Sequence, residues 1–289
     1  MIQRLLAAMF AVSLLGSCVV VTESEPATPA KPAPAAAAST HENLHVVLWM
    51  QTAAELDALS RQTFVLAGRL LAEGLADPSW TATPHVAAET EGTPAIVADV
   101  DETLLSNAAQ EARLILSGES FTPETWKEWV DEAKAPPMPG AVAFTRDAAR
   151  RGVTVFYVTN RRADEEAATR ENLRRLGFPL RDDLDTILTR GERPEWGSDK
   201  MSRIAHVARD HRVLLLLGDN LGDFLPDVET TLEARAAMIE RWDAMWGARW
   251  IVLPNPAYGS WLASLLGNER GLSRDEELRR KLEALDTLE

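Results

Sequence analysis

Asp99-Val100-Asp101-Glu102-Thr103 closes an apolar run, Ala95-Ile96-Val97-Ala98, and its reading decides the fold. A short apolar run that stops at acidic residues is a buried strand with carboxylates at its exit. A second run, Val213-Leu214-Leu215-Leu216-Leu217, ends in Gly218-Asp219-Asn220-Leu221-Gly222-Asp223. Two strands thus each deliver a pair of carboxylates at their carboxyl ends. Like charges in a low dielectric repel strongly, so four carboxylates in one small site need compensation. A hard divalent cation supplies it, and Mg2+ prefers such oxygen ligands. The pattern points to metal-assisted chemistry on an anionic, phosphorylated substrate.

Around these two runs, strands and helices alternate. Apolar residues at helical spacing from Leu44 to Ala76 predict one or two long helices. Ala95–Val100 is the first strand. The insertion after it, about 104–138, holds a helix from about Pro123 to Ala133, with Thr122 as its cap and proline at the first position. Pro139-Gly140 turns into a helix that ends at Arg150. Strand Val153–Val158 follows, then a charged helix from about Ala163 to Leu176 that stops at Gly177. A short strand near Thr186–Leu188, a helix from about Ser198 to His211, strand Val213–Leu217, a helix over about Leu232 to Trp246 and strand Arg249–Leu253 complete the series. Such alternation predicts an α/β fold with a mainly parallel sheet and helices on both faces. Ligands bind beyond the carboxyl ends of such strands, where Asp99, Thr159 and Asp219 fall.

The chain of 289 residues is 46% hydrophobic, enough for a real core. Its net charge of −14 argues against a nucleic-acid polymer or a bare anionic membrane surface as partner. The first residues stand apart. Arg4 precedes the apolar run Leu5 to Leu15, which is too short to span a bilayer and ends Leu15-Gly16-Ser17-Cys18. This looks like a bacterial lipoprotein signal over residues 1–17, cleaved before a lipidated Cys18. Cys18 is the chain's single cysteine, so no intrachain disulfide is expected. Residues 18–42, with Pro26, Pro29, Pro32 and Pro34 among alanines, read as an extended tether. A globular domain over 43–272 and a charged C-terminal helix over 273–289 complete the expected organisation.

Alone, Asp-x-Asp-x-Thr fits any polar strand end turning into a helix cap. Three further features occur in order. Thr159-Asn160-Arg161 closes the second strand, Lys200 lies near a helix start, and Gly218-Asp219 with Asp223 closes the fourth strand. This series resembles the haloacid dehalogenase superfamily of phosphotransferases, and implies a Rossmann-like core with a small helical cap. Val100-Asp101-Glu102-Thr103-Leu104, Val158-Thr159-Asn160-Arg161 and Gly218-Asp219-Asn220-Leu221 with Asp223-Phe224 resemble the lipoprotein e acid phosphatases. So do Val252-Leu253-Pro254-Asn255-Pro256 with Tyr258-Gly259, Trp49-Met50-Gln51-Thr52 and Trp126-Lys127-Glu128-Trp129-Val130. Members of that family are lipid-anchored bacterial 5′-nucleotidases of the class C acid phosphatase type.

The resemblance implies roles. Asp99 attacks phosphorus and becomes an aspartyl phosphate. Asp101 protonates the leaving alkoxide and then takes a proton from water, which calls for a raised pKa that neighbouring carboxylates would supply. Mg2+ is held by Asp99, the backbone carbonyl of Asp101, Asp219 and Asp223. Thr159 and the Asn160 backbone donate to phosphoryl oxygens, and Lys200 neutralises the nucleophile and the transferring group. Phe121 and Tyr258 stand where the family stacks a nucleobase. The implied enzyme is a Mg2+-dependent phosphomonoesterase acting on nucleoside monophosphates, lipid-anchored in the cell envelope at the outer membrane.

Other phosphatase chemistries are excluded. No cysteine is present outside the signal, no histidine lies in an Arg-His-Gly motif, and no P-loop occurs. Two alternatives stay open at this point: a phosphatase for non-nucleotide small phosphates, and a surface-binding lipoprotein with a vestigial site.

Overall fold

The strands owe their place to alternation. In β1 (Thr93–Ala98), Ile96 and Ala98 face one apolar cluster while Ala95 and Val97 face another. In β2 (Thr154–Arg162), Val155 and Tyr157 face the first cluster and Phe156 and Val158 the second. Successive side chains point to opposite faces of a sheet, so a strand that is apolar throughout must be covered on both sides. The cover comes from helices on either face.

The protein is described by a computed structural model over residues 41–86 and 92–288. In chain order the helices before the insertion are α1 (Leu44–Thr52) and α2 (Ala54–Ala76). After β1 come α3 (Ala108–Ser117), α4 (Pro123–Asp131) and α5 (Ala141–Arg150). After β2 come α6 (Glu166–Leu176), β3 (Ile187–Arg190), α7 (Met201–Asp210) and β4 (His211–Gly218). The chain continues through α8 (Leu232–Arg241), β5 (Trp250–Val252), α9 (Ser260–Leu265) and α10 (Arg274–Glu283). The sheet order is β3-β2-β1-β4-β5 and every pairing is parallel. Helices α2, α5 and α6 pack on one face through Phe64, Phe144 and Leu173, and α7 packs on the other through Ile204 and Val207. This is the expected α/β fold, with the sheet wholly parallel.

Several boundaries follow from identifiable chemistry. Thr122 accepts from Thr125 N at 3.1 Å, and Pro123 opens α4, as its sequence predicts. Gly177, at φ 81°, ends α6 in the left-handed region that favours glycine. β2 runs four residues further than its apolar pattern suggests. The register with β3 shifts after Val158, and pairing resumes at Arg162, which sits opposite Arg190. α8 ends at Arg241 rather than Trp246, because Trp242 and Trp246 turn inward onto Trp250, with ring centroids at 5.3 and 4.9 Å. α3 and α9 are helices beyond those expected from the sequence.

β1 is central, with β2 and β4 as its neighbours, and Ala98 sits opposite Tyr157 and Leu217. The three strands therefore end side by side, and residues 99–103, 159–161 and 218–223 converge. The insertion with α3 and α4 leaves from this edge. α10 is tied back through Arg280 Nη1 to the Leu266 carbonyl at 2.6 Å and Lys281 to Glu42 at 2.7 Å. No helix among the described residues is long and apolar enough to cross a membrane. Cys18 and the signal, with nearly all of the tether, lie outside the described residues.

Candidate active site

The strand ends bring together Asp99, Asp101, Thr159, Lys200, Asp219 and Asp223. One carboxylate oxygen from each of Asp99, Asp219 and Asp223 lies within 4.8 Å of the others. Lys200, at the N-terminal edge of α7, reaches into this group. Its Nζ donates to Asp99 Oδ1 at 2.5 Å and to Asp223 Oδ1 at 2.6 Å, and all three residues are buried. Burial alone pushes the lysine down, but Asp223 and Asp99 outweigh it and hold the ammonium charged.

Local backbone fixes the acids. Gly218 lets the chain pass close to Asp223, since a Cβ at 218 would lie 2.4 Å from the Asp223 Cβ. The Asn220 N–H donates to Asp223 Oδ2 at 2.9 Å. Asp219 accepts from Thr103 Oγ1 at 3.1 Å and from Asn255 Nδ2 at 2.8 Å. Both donors are neutral, and among the described residues no cation pairs with Asp219. Burial and then Asp223 push the Asp219 carboxyl up to about 7. Burial likewise raises Asp99, with Lys200 opposing and Asp223, Asp219 and Asp101 adding to the rise. The site thus holds hard oxygen donors and one ammonium, with negative charge in excess. That donor set fits a divalent cation such as Mg2+, held by Asp99, Asp219 and Asp223.

The Asp101 carboxylate points elsewhere. It accepts from Arg161 Nη2 at 2.8 Å, from Asn107 Nδ2 at 2.9 Å and from Thr159 Oγ1 at 3.4 Å. It is not among the three grouped carboxylates, which leaves its backbone carbonyl as the group the resemblance assigns to the metal. Burial raises its pKa, but the Arg161 guanidinium and these hydrogen bonds prevail and hold it below the usual range. The sequence expectation of a raised Asp101 is therefore corrected. A buried, nearly fully covered arginine faces it, and an opposite charge in contact outweighs acids further away.

Thr159 is buried at the end of β2, and its Oγ1 also accepts from the Arg161 N–H at 3.1 Å. Asn160 is exposed, and its Nδ2 donates to the Ser198 carbonyl at 2.9 Å. Arg203, fully buried on α7, donates to the Thr159 carbonyl, to Asn160 Oδ1 at 2.6 Å and to the Gly197 carbonyl at 2.9 Å. It locks the end of β2 to the loop that presents Lys200. Glu102 is buried at φ 53°, and burial followed by the Asp101 charge raises its carboxyl to about 8. A non-glycine residue held in this region stores strain of about 1–3 kcal/mol, a cost tolerated where surroundings over-determine it.

No hydrogen bond joins Phe121 or Tyr258 directly to the acids, although the Tyr258 N–H donates at 3.4 Å to Asn255 Oδ1, whose amide nitrogen donates to Asp219. Phe121 is 60% exposed on the loop before α4 and packs on Trp126 at 6.0 Å. Tyr258 is half-buried after β5, with a buried hydroxyl that has no partner among the described residues. The two rings do not pair with each other. A cavity of about 830 Å3 opens between α1 and the loop after β5, lined by His45, Leu48, Trp49, Pro254 and Asn255. Asn255 joins this cavity to Asp219.

Sequence reasoning did not single out Arg161, Arg203, Asn107 or Thr103 as site residues. Arg161 directly follows Thr159-Asn160. Arg203 lies three positions after Lys200, one helical turn along the same face. Asn107 left no local signal, because its place depends on the path of the insertion.

The profile of the HAD superfamily, subfamily IIIB (acid phosphatase), matches residues 13–261. The class C acid phosphatase from Bacillus anthracis is 30% identical, with a TM-score of 0.75 over 85% of this chain and 97% of that one. Its tungstate-bound structure gives a TM-score of 0.76 at the same identity and coverage. Acid phosphatase 1 of Solanum lycopersicum is 30% identical over 140 residues, 47% of this chain and 53% of its own length. The stem 31 kDa glycoprotein of Glycine max is 26% identical over 129 residues, 44% of this chain and 51% of its own. The chain thus spans about half the length of these curated relatives. The profile match over most of the chain, together with the structural likeness, shows that the chain belongs to HAD superfamily subfamily IIIB, the acid phosphatase family.

Proposed function

We propose that the protein is a Mg2+-dependent acid phosphatase that hydrolyses nucleoside monophosphates through an aspartyl phosphate on Asp99. The observation that carries this reading is the buried contact of Lys200 with Asp99 beside two further carboxylates. Tungstate, a phosphate-like anion, is bound in the Bacillus anthracis relative, which supports a phosphoryl substrate here.

The chemistry follows from the residues. Asp99 Oδ attacks phosphorus as the ester P–O bond breaks, and Asp101 gives its proton to the departing alkoxide. Asp101 enters this step protonated, and the phosphoryl oxygens beside it push its carboxyl up, against the hold of Arg161. Water then attacks the phosphorus of the aspartyl phosphate, Asp101 takes its proton, and inorganic phosphate and free Asp99 result. Lys200 offsets charge on the nucleophile and on the transferring oxygens, and Thr159 Oγ1 donates to one of them. When bound by Asp99, Asp219 and Asp223, Mg2+ neutralises phosphoryl charge and orients the group for in-line attack.

The alcohol part of the substrate is set by the cavity beside Asp219 and by the exposed Phe121 ring. An apolar cavity with Trp49 in its wall supports a bulky leaving group such as a nucleoside. Phosphate release from a panel of nucleotides, sugar phosphates and an aryl phosphate, with and without Mg2+, tests the reading. Nucleoside monophosphates should turn over fastest, and only with the metal. Preference for sugar phosphates would favour the non-nucleotide alternative, and no release from any ester would favour a binding protein.

The Leu15-Gly16-Ser17-Cys18 stretch supports a lipid anchor on Cys18, and Val19 brings no acidic retention signal, which supports the outer membrane. Fractionation of Cys18→Ser should release the protein from the membrane. Unchanged membrane association would refute the anchor.

A further inference from the structure

The insertion helix α4 carries two tryptophans three residues apart, Trp126 and Trp129, on one face. Trp129 Nε1 donates to Asn107 Oδ1 at 2.8 Å, with both residues buried. Asn107 Nδ2 then donates to Asp101 Oδ1 at 2.9 Å and to Glu102 Oε2 at 2.9 Å. The Trp126 ring lies 5.7 Å from the guanidinium carbon of Arg161, the residue that grips the same Asp101 carboxylate. One helix thus touches two of the three residues that donate to Asp101, Asn107 and Arg161, and neither indole is itself hydrogen-bonded to it.

The chemistry of the contact is directional. An asparagine amide can be flipped, presenting either oxygen or nitrogen to a neighbour. An indole N–H only donates, so Trp129 fixes Asn107 with its oxygen toward α4 and its NH2 toward the two carboxylates. The flipped amide would set its oxygen against Asp101 and Glu102 and leave the Trp129 N–H facing a donor. Packing alone needs only an aromatic ring at 129 and does not call for that N–H.

We propose that α4 is the positioning element for the acid–base residue, acting on Asp101 through Trp129–Asn107 and Trp126–Arg161. The proposal rests on the reading of Asp101 as the acid that protonates the leaving alkoxide. A mispositioned acid harms an ester in proportion to the basicity of its leaving group. An alkoxide needs the proton, whereas a nitrophenolate leaves almost as well without it. A purely structural role of α4 would harm both alike.

The test measures kcat/KM, which reports transfer to Asp99 rather than later hydrolysis, for an alkyl phosphate and for p-nitrophenyl phosphate. Parent, Trp129→Phe, Asn107→Ser and Asp101→Asn are compared, all with Mg2+. Asp101→Asn should lose roughly 10²–10⁴ on the alkyl ester and far less on the aryl ester. Trp129→Phe and Asn107→Ser should lose about tenfold on the alkyl ester, the worth of one buried hydrogen bond, with the aryl ester nearly unchanged. Trp126→Leu, at a half-buried position, tests the second contact should Trp129→Phe fail to fold, and the same selective loss is expected. If Asp101→Asn is selective while the α4 and Asn107 variants lose equally on both esters, or lose nothing, the positioning role is overturned and the acid role stands. If Asp101→Asn itself loses equally on both esters, the acid reading falls and the proposal falls with it.

Discussion

Lys200 Nζ lies 2.5 Å from Asp99 Oδ1, a buried ammonium in direct contact with a buried carboxylate that begins at the end of the central strand. The same ammonium contacts Asp223 at 2.6 Å, so one positive charge serves two acids from two different strand ends. Removing one partner of a buried pair leaves the other uncompensated. Lys200→Met should lower kcat by roughly 10²–10³, the scale for loss of one preorganised electrostatic contact. It should also lower the melting temperature in chelator, and Mg2+ should restore more stability to the variant than it adds to the parent. Melts with and without Mg2+ check this. A variant with parental activity would remove Lys200 from the mechanism.

Asp219 has only neutral donors, Thr103 and Asn255, and its carboxyl is raised to about 7 by burial and Asp223. A cation is the partner it lacks. Exhaustive chelation should inactivate the parent and Mg2+ should restore it. Asp219→Asn should require a much higher Mg2+ concentration for half-maximal rate, because a direct carboxylate ligand is removed. Full activity of the chelated parent contradicts the metal assignment.

Phe121 offers a largely exposed ring at the mouth of the insertion, and Tyr258 lies on the loop after β5. Stacking of a base on an aromatic ring is worth about 1–3 kcal/mol and tolerates base identity. Phe121→Ala and Tyr258→Ala should therefore raise KM for nucleoside monophosphates and leave KM for a ringless phosphate ester nearly unchanged. Equal effects on both substrates would make these residues structural and remove the support for a nucleotide.

His211 opens β4, with its Nδ1 2.8 Å from Thr93 Oγ1 and its ring 4.9 Å from Phe156. Burial lowers its pKa from 6.5, against Thr93 and Asp210, which raise it, and with Arg181, which lowers it further. A histidine depressed in the folded state binds fewer protons there than when unfolded. Its stabilising contribution is whole above 6.5 and is lost as pH falls through the folded value. The melting temperature of His211→Asn should therefore fall less than the parent's between neutral and mildly acidic pH. Identical pH dependence in the two proteins contradicts the assignment.

Much of this arrangement was legible in the chain because it is local. The Ala95 and Val213 runs read as short strands buried on both faces, and the acids that end them had to meet if those strands were neighbours. Thr122-Pro123 and Gly177 marked helix ends by backbone chemistry that needs no tertiary context. The polar end of β2 was not legible, since Thr159 to Arg162 reads as loop until β3 is seen beside it. The charge state of Asp101 was hidden for a related reason. Its three neighbouring carboxylates suggested a raised pKa, while the decisive group is an arginine 60 residues away that the fold turns inward. Asn107 shows the limit most clearly. It lies in an insertion without regular strands, and only the folded path places its amide between Trp129 and Asp101.

The central claim is that Asp99 carries the phosphoryl group, and trapping that group tests it most directly. Enzyme mixed with a nucleoside monophosphate and Mg2+ is quenched in acid within one turnover, digested, and mapped by mass spectrometry. The account predicts a phosphoryl adduct on the peptide that holds Asp99, absent from Asp99→Asn, which should be folded and inactive. Turnover by Asp99→Asn free of deamidated material, or an adduct on any other residue, would contradict it.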